Sequence, residues 1–227
     1  MLILAFSWII VCPFSIYFIY KYFLARKQND LDAVRIYQPL TTILSLLIGI
    51  LSAFSPFSNS WFTIFILIGM FLALIADFLN IDMSDFKVVI RGLTIFLLAY
   101  LVYTITTFNF TSIDLITFII ITGITLLFLT ILSRIWKGFT NSIEKGAMTV
   151  YGLNITIMVA SGINTLLDSN FSLLSGFILT LGYLFLFLGD IEFALSTYWK
   201  PLNFEYGPFL YAGGQLFVAI SLFFPLI

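Results

Sequence analysis

Eight long apolar runs follow one another along the chain, and short polar stretches separate them. The runs cover about residues 2–20, 36–54, 61–79, 88–107, 113–132, 146–166, 172–194 and 209–226. Each is close to the roughly 20 apolar residues that a helix needs to cross a bilayer. The runs are continuously apolar and lack the alternation of outer-membrane barrel strands. The pattern therefore predicts an all-α membrane protein with eight transmembrane helices, folded as a single polytopic membrane domain over residues 1–227.

The basic residues fall in or next to alternate connections between these runs. They are Lys21, Arg26, Lys27 and Arg35 between runs 1 and 2, Lys87 and Arg91 between runs 3 and 4, Arg134, Lys137 and Lys145 between runs 5 and 6, and Lys200 between runs 7 and 8. The positive-inside rule places these connections in the cytoplasm and both termini outside. Because seven or nine helices would mix the charges, this asymmetry independently favours eight. We expect a multi-pass protein of the cell (inner or plasma) membrane.

The amino-acid composition is typical of an integral membrane protein, and it excludes several other classes of protein. Hydrophobic residues make up 61% of the chain and charged residues 9%, whereas a soluble domain carries about 25% charged residues. This balance excludes a cytosolic enzyme, a nucleic-acid binder and a secreted disulfide scaffold. With no histidine and the single cysteine Cys12, the chain lacks the usual metal ligands. We expect no metal and no other cofactor.

Two aspartates lie inside the apolar runs. A carboxylate in hydrocarbon costs at least about 2.5–3.5 kcal/mol, so Asp77 in the third run and Asp190 in the seventh need a functional reason. Both runs cross in the same direction, which brings both acids to one depth in the cytoplasmic half. Gly69 precedes Asp77 by eight residues, as Gly182 precedes Asp190, and we interpret this match as a parallel four-plus-four repeat. Glu192 is expected to point elsewhere or to extend to the membrane interface, because two helical steps turn it away from Asp190.

Other side chains, most of them polar, follow helical spacing at the same level. They are Gln38, Thr41, Thr42, Ser45 and Ser52 in run 2, Phe96, Tyr100 and Tyr103 in run 4, Tyr151, Asn154, Met158 and Ser161 in run 6, and Tyr211 and Gln215 in run 8. We expect a polar pocket open toward the cytoplasmic leaflet, with runs 1 and 5 outside it. Two alternatives stay open: Gln38 and Asn154 can be interhelical hydrogen-bonding residues, and Arg91 can extend to lipid phosphate. Tyr22 is expected to be an interfacial residue.

A pair of aspartates at one depth suits acid–base chemistry. Two carboxyl groups that share a site with little water do not readily both ionise, which leaves a proton donor beside a base or anion. Such a pair suits hydrolysis through an oxocarbenium-like state. It also suits an intramembrane aspartyl protease, a proton-coupled transporter, or a lipid-binding membrane protein without catalysis. The protease is disfavoured because only Gly189 precedes Asp190, without a G-x-G-D sequence.

Six short motifs occur in an order that resembles the YhhN-like lysoplasmalogenase family of eight-helix membrane proteins. They are YQPLTT at 37–42, GMFLALIAD at 69–77, RGLTIFLLAYLVY at 91–103, VYGLNITIM at 150–158, LFLFLGDIEFAL at 184–195 and YAGGQLF at 211–217. The resemblance implies that Asp77 and Asp190 are the catalytic residues. Three positions depart from the family: Gln38 replaces its lysine, Tyr100 its histidine, and Gly189 its serine before the aspartate.

The activity that the resemblance implies is hydrolysis of the vinyl ether bond of a lysoplasmalogen, to a fatty aldehyde and a glycerophospho-alcohol. The substrate would be a lysophospholipid taken from the membrane. Residues expected to contact or orient substrate are Gln38, Arg91, Tyr100, Tyr103, Tyr151, Asn154 and Gln215. A pocket mouth among Arg91, Lys87 and Lys200 would hold the head-group phosphate through charge-assisted hydrogen bonds.

Overall fold

A computed structural model describes residues 7–56, 58–79, 86–199 and 206–224. Over these residues the chain forms eight α-helices and no strand, which confirms the all-helical prediction. The helices are α1 Cys12–Lys27, α2 Leu31–Ser52, α3 Ser60–Leu79, α4 Phe86–Asn109, α5 Leu115–Ile135, α6 Ser142–Thr165, α7 Leu173–Tyr198 and α8 Gly207–Ser221. A π-helical turn, Ser7–Val11, precedes α1, and a 3-10 turn, Trp136–Gly138, follows α5.

Seven helical segments in the described part of the chain are long and apolar enough to cross a membrane: α1 together with the π-helical turn before it, and α2 to α7. The eighth, α8, has 15 residues, which is about 22 Å at 1.5 Å per residue and shorter than a hydrocarbon core of about 30 Å. Most of its side chains are buried against the other helices. Eight spans, the outside position of both termini and the four-plus-four repeat therefore stay predictions.

Polar side chains start four of the helices. Asp30 accepts a hydrogen bond from the backbone of Ala33 at the start of α2, and Asp114 forms a capping box with Thr117 at the start of α5. Asn141 and Ser172 accept backbone hydrogen bonds at the starts of α6 and α7. Such caps satisfy N–H groups that have no partner within the helix. They fix the helix starts within a few residues of the apolar runs.

The first connection is much shorter than the sequence pattern predicts. The apolar run ends near residue 20, but α1 continues through its charged residues to Lys27, because lysine and arginine are good helix formers. Only Gln28, Asn29 and Asp30 then separate α1 from α2. Asn29 has a φ of 54°, a left-handed conformation that lets the chain reverse at once. The basic end of α1 thus lies on a helix beside the start of α2.

Most consecutive helices pack against each other, α4 packs against α6, and α8 lies against α7, α2 and α1. Glycines allow the closest approach between α7 and α8: a Cβ on Gly182 would lie 2.9 Å from the Val218 nitrogen, and one on Gly214 would lie 2.9 Å from the Gly182 carbonyl. Small residues permit such backbone contact between apolar helices. This packing brings the end of α7 beside the start of α8.

The two helices expected outside the pocket differ from each other. The span containing α5 is 17% buried, against 33% or more for each of the other candidate spans, as expected of a peripheral helix. By contrast α1 packs against α2 and α8 and contributes side chains to the main cavity. The exclusion of α1 is therefore wrong. The apolar run does not reveal the cavity-lining face of α1, because the helix continues beyond the end of that run.

Candidate functional site

A cavity of about 310 Å³ lies at the end of the bundle where α1 and α7 end and where α2, α4 and α8 begin. This is the end that the charge pattern predicts to face the cytoplasm. Its walls are lined by Tyr22, Arg26, Lys27, Asn29, Gln38, Leu93, Phe96, Gly189, Asp190, Glu192, Phe193, Ser196, Gly207, Pro208 and Tyr211. The cavity therefore brings together both signs of charge and several hydrogen-bonding groups, and we name it the polar cavity.

Asp190 stands on the wall of the polar cavity, near the end of α7. The Tyr151 hydroxyl on α6 donates to its Oδ2 at 2.7 Å, and the Tyr100 hydroxyl approaches the same carboxylate. The rings of the two tyrosines lie 5.8 Å apart. Gly189 lets α8 begin close by, since a Cβ there would lie 3.2 Å from the Gly207 carbonyl oxygen. Asp190 is thus held by tyrosines on one side while another side faces the cavity.

A second, apolar cavity of about 30 Å³ adjoins the polar one. Its lining residues are Leu93, Phe128, Ile131, Leu132, Ile135, Met148, Tyr151, Gly152, Ile155, Phe187, Asp190, Ile191, Phe193 and Ala194. The two cavities share Leu93, Asp190 and Phe193. We name the second space the apolar cavity. The Asp190 carboxylate therefore lies where a polar space meets an apolar one.

Asp77 lies one layer deeper, on α3, and is fully buried. The Gln38 amide on α2 donates to its Oδ1 at 3.0 Å, and the Thr42 hydroxyl donates to its Oδ2 at 2.5 Å. Asp77 is not among the residues that line either cavity, whereas its neighbour Gln38 lines the polar one. The Tyr211 hydroxyl lies near Asp77 but has no hydrogen-bond partner among the described residues. The two aspartates are therefore not equally accessible.

Arg26 on α1 extends this polar chain toward the cavity. Its guanidinium donates to the Gln38 Oε1 at 2.6 Å and lies over the ring of Tyr22, 5.8 Å from the centroid. Tyr22 is buried and lines the cavity, so the expected interfacial role is wrong. The sequence signal was available, because Tyr22 and Arg26 are one helical turn apart on a face of an extended α1.

The remaining residues expected to bind substrate form contacts between helices. Tyr103 donates to the Gln215 Oε1 at 2.9 Å, and both side chains are fully buried. Asn154 donates to the Leu97 carbonyl at 3.2 Å, which favours the interhelical alternative for this residue. Tyr100 is buried behind Asp190 and lines neither cavity. Of the expected set, Gln38 lines the polar cavity and Tyr151 lines the apolar one.

Of the three residues expected to form a mouth for a phosphate, the structure describes the side chain of one, Arg91. Arg91 is exposed and does not line the polar cavity, while Lys200 and the Lys87 side chain lie outside the described residues. Among the side chains that the structure describes, the cations on the cavity wall are Arg26 and Lys27, which the longer α1 carries there.

Glu192 lines the same cavity as Asp190, contrary to expectation. Its carboxylate fills the space that a Cβ on Gly207 would occupy, so the glycine that begins α8 makes room for it. Gly189, Asp190, Glu192, Phe193 and Ser196 of α7 all line this cavity, so more than one face of the helix end reaches it. Within the described residues, no three side chains of the histidine, cysteine, aspartate and glutamate types converge to hold a metal ion.

Comparison with known proteins gives one match. The model of the YhhN family matches residues 34–222. No curated protein matches the chain, and no solved structure does. The matched region runs from the first turn of α2 to the end of α8 and contains both aspartates, while α1 lies before it.

Proposed function

The chain belongs to the YhhN family, and we propose that it is an integral-membrane hydrolase that cleaves the vinyl ether bond of a lysoplasmalogen. The observation that carries this proposal is the position of Asp190, which lines both a polar and an apolar cavity. An amphiphile bound across the two cavities would bring the bond between its polar and hydrocarbon parts to this carboxyl group. In a lysoplasmalogen that bond is the vinyl ether.

The chemistry requires an acid at this junction. Asp190 in its acid form would deliver a proton to the β-carbon of the vinyl ether, which forms an oxocarbenium ion at the carbon bonded to oxygen. The resulting carboxylate would stabilise that cation and take a proton from the attacking water. The hemiacetal then breaks its carbon–oxygen bond to release a fatty aldehyde and the glycerophospho-alcohol. The net reaction consumes one water and needs no oxidant or reductant.

The second aspartate would act from behind the cavity wall. Asp77 accepts a hydrogen bond from Gln38, and Gln38 lines the polar cavity. In the proposed acid–base pair, Asp77 is the buried member that holds Gln38 in position, and Asp190 is the member that exchanges protons with substrate. Tyr151, which donates to Asp190 and lines the apolar cavity, would orient the catalytic carboxyl group.

Access from lipid suits a substrate that resides in the membrane. The apolar cavity is bounded by α5, the most exposed of the candidate spans. The hydrocarbon chain would lie on this side, and the head group would reach the polar cavity at the end predicted to be cytoplasmic. We place the protein in the cell membrane on this basis.

Aldehyde release from a lysoplasmenyl lipid by the purified protein tests the proposal. The matched control is the saturated 1-O-alkyl lipid with the same head group, which has no double bond to protonate and should give no aldehyde. Absence of aldehyde from the vinyl ether lipid would contradict the hydrolase. Uptake or binding of lipid without turnover would favour the transporter or lipid-binding alternative.

A further inference from the structure

One wall of the polar cavity comes from a part of the chain that the family model does not match. The match begins at residue 34, whereas Tyr22, Arg26, Lys27 and Asn29 of α1 and its following turn line the cavity. The walls formed by α2, α4, α7 and α8 lie within the matched region. The α1 wall therefore provides chemistry that the family match does not describe.

The charges in the cavity are separated by wall. The carboxylates of Asp190 and Glu192 both lie on α7, and the cations of Arg26 and Lys27 lie on α1. Both cations are in the last turn of α1, where the helix dipole favours positive charge. An anionic group in this cavity would be attracted to the α1 wall and repelled from the α7 wall. This separation orients a ligand that carries one anionic end.

The donors near the α1 wall suit a phosphate group. A guanidinium presents planar, paired N–H donors that match phosphate oxygens, and the Gln38 acceptor and the Tyr22 ring fix its orientation. The ammonium of Lys27 lies at the exposed rim. Tyr211 also lines the cavity, but its hydroxyl is buried on the side of Asp77 and Thr42. The donors that face the cavity on the α1 wall are therefore those of Arg26 and Lys27.

We propose that Arg26 and Lys27 form a subsite for a phosphate group, so that α1 selects the head group of the lipid. This inference rests on the proposed function, because it takes the ligand to be a lysophospholipid whose reacting bond lies at Asp190. The subsite directs the phosphate away from the α7 carboxylates and leaves the hydrocarbon end toward the apolar cavity.

The experiment measures binding to the full chain in detergent rather than turnover. The probe is a saturated 1-O-alkyl lysophospholipid, and its reference is the 1-O-alkylglycerol that lacks phosphate. The wild type should bind the phospholipid at least about tenfold more tightly, the effect of one charge-assisted hydrogen bond. Lys27→Gln should lose about that factor for the phospholipid and nothing for the alkylglycerol. Arg26→Lys, which keeps the charge but loses the paired donors, should lose several-fold.

The matched control is Lys21→Gln, which removes the same charge from the same helix. Lys21 lies near the Tyr17 ring and does not line the cavity, so this variant should bind both probes as the wild type does. Inorganic phosphate should compete with the phospholipid. If inorganic phosphate binds as tightly as the phospholipid, the natural ligand of the subsite is a free phosphate ion. If it binds far more weakly, the natural ligand is the phosphate of a lipid head group.

Two results would overturn the subsite: equal affinity for the two probes, or equal behaviour of Lys27→Gln and Lys21→Gln. Because neither probe contains a vinyl ether, the outcome does not depend on catalysis. A protein that prefers the phospholipid but releases no aldehyde would contradict the proposed hydrolase and support the subsite. A protein that releases aldehyde but binds both probes equally would support the hydrolase and contradict the subsite.

Discussion

The two halves of the bundle hold their aspartates through corresponding hydrogen bonds. Gln38 on α2 donates to Asp77 on α3, and Tyr151 on α6 donates to Asp190 on α7. In both cases donor and acceptor are 39 residues apart in the chain. Each aspartate thus lies near the end of one helix and receives a hydrogen bond from the helix before it.

The glycines that precede the aspartates have corresponding surroundings. Gly69 stands eight residues before Asp77, and a Cβ there would meet the Tyr103 ring of α4. Gly182 stands eight residues before Asp190, and a Cβ there would meet Val218 of α8. Each glycine therefore leaves space for a side chain of the following helix. This shared packing is expected if the two glycines occupy equivalent positions in the two halves.

The surroundings of the two aspartates differ one turn further along the helix that carries the hydrogen-bond donor. Four residues after Gln38 stands Thr42, which donates to the second oxygen of Asp77. Four residues after Tyr151 stands Ile155, which lines the apolar cavity. A carboxyl group with a donor on each oxygen and no exposure is held in one position away from any ligand, whereas one that faces a cavity can exchange a proton with a ligand. We infer that equal spacing produced a positioning carboxyl group in one half and a reactive acid in the other.

The largest expected effect is that of Asp190→Asn. Asparagine keeps the shape of the side chain and can still accept from Tyr151, but it cannot deliver the proton. Aldehyde release should fall by about 10²-fold or more, the usual contribution of a general acid. The thermal midpoint should stay near that of the wild type. A rate within a few-fold of wild type would remove Asp190 from the mechanism.

Asp77→Asn should lower stability more and activity less than Asp190→Asn. The new NH₂ group would face one of the two donors, Gln38 or Thr42, and leave it unsatisfied in a buried site, at a cost of about 1–3 kcal/mol. Thermal unfolding should show this loss, and aldehyde release should fall roughly tenfold as Gln38 loses its fixed position. If activity instead falls as far as in Asp190→Asn while stability is unchanged, both acids act directly and the distinction between the halves is wrong.

Ile155→Thr gives Asp190 the kind of neighbour that Asp77 has. A hydroxyl at this position can donate to the carboxylate and narrows the difference between the two sites, so aldehyde release should fall several-fold. The control Ile155→Val keeps the β-branch and the apolar surface, and its rate should stay near that of the wild type. Equal rates in the two variants would mean that the apolar wall of Asp190 has no influence on the reaction.

Asp168, in the connection between α6 and α7, supplies a purely structural reference with the smallest effect. Burial alone would raise the pKa of its carboxyl group, but hydrogen bonds from the Ser112 and Asn170 N–H groups outweigh it and hold the pKa below its usual range. The stabilisation is therefore present above the unfolded pKa of about 4 and is lost as the pH falls through the folded value.

Asp168→Asn should accordingly lower the thermal midpoint by a few degrees at pH 7, which corresponds to about 1 kcal/mol. The gap between variant and wild type should close below about pH 4. Aldehyde release per folded molecule should not change, and a specific loss of activity would show that this end of the bundle also takes part in the reaction.

The sequence by itself determined the helical class, the eight helices and the two aspartates near the ends of α3 and α7. These features depend on the length of apolar runs, on the cost of charge in lipid and on caps such as Asp114, all of which are local in the chain. The local pattern also gave a wrong prediction for α1, which was expected to lie outside the pocket. The apolar run stops at Lys21, but the helix continues to Lys27.

Only the tertiary structure decided which aspartate faces a cavity and which side chains surround it. Gln38 and Thr42 cover Asp77 from 39 and 35 residues away, and α1 brings Arg26 to the polar cavity although it lies far from Asp190 in sequence. Accessibility depends on neighbours supplied by other helices. No spacing within α3 or α7 contains that information, which is why two similar segments became two different sites.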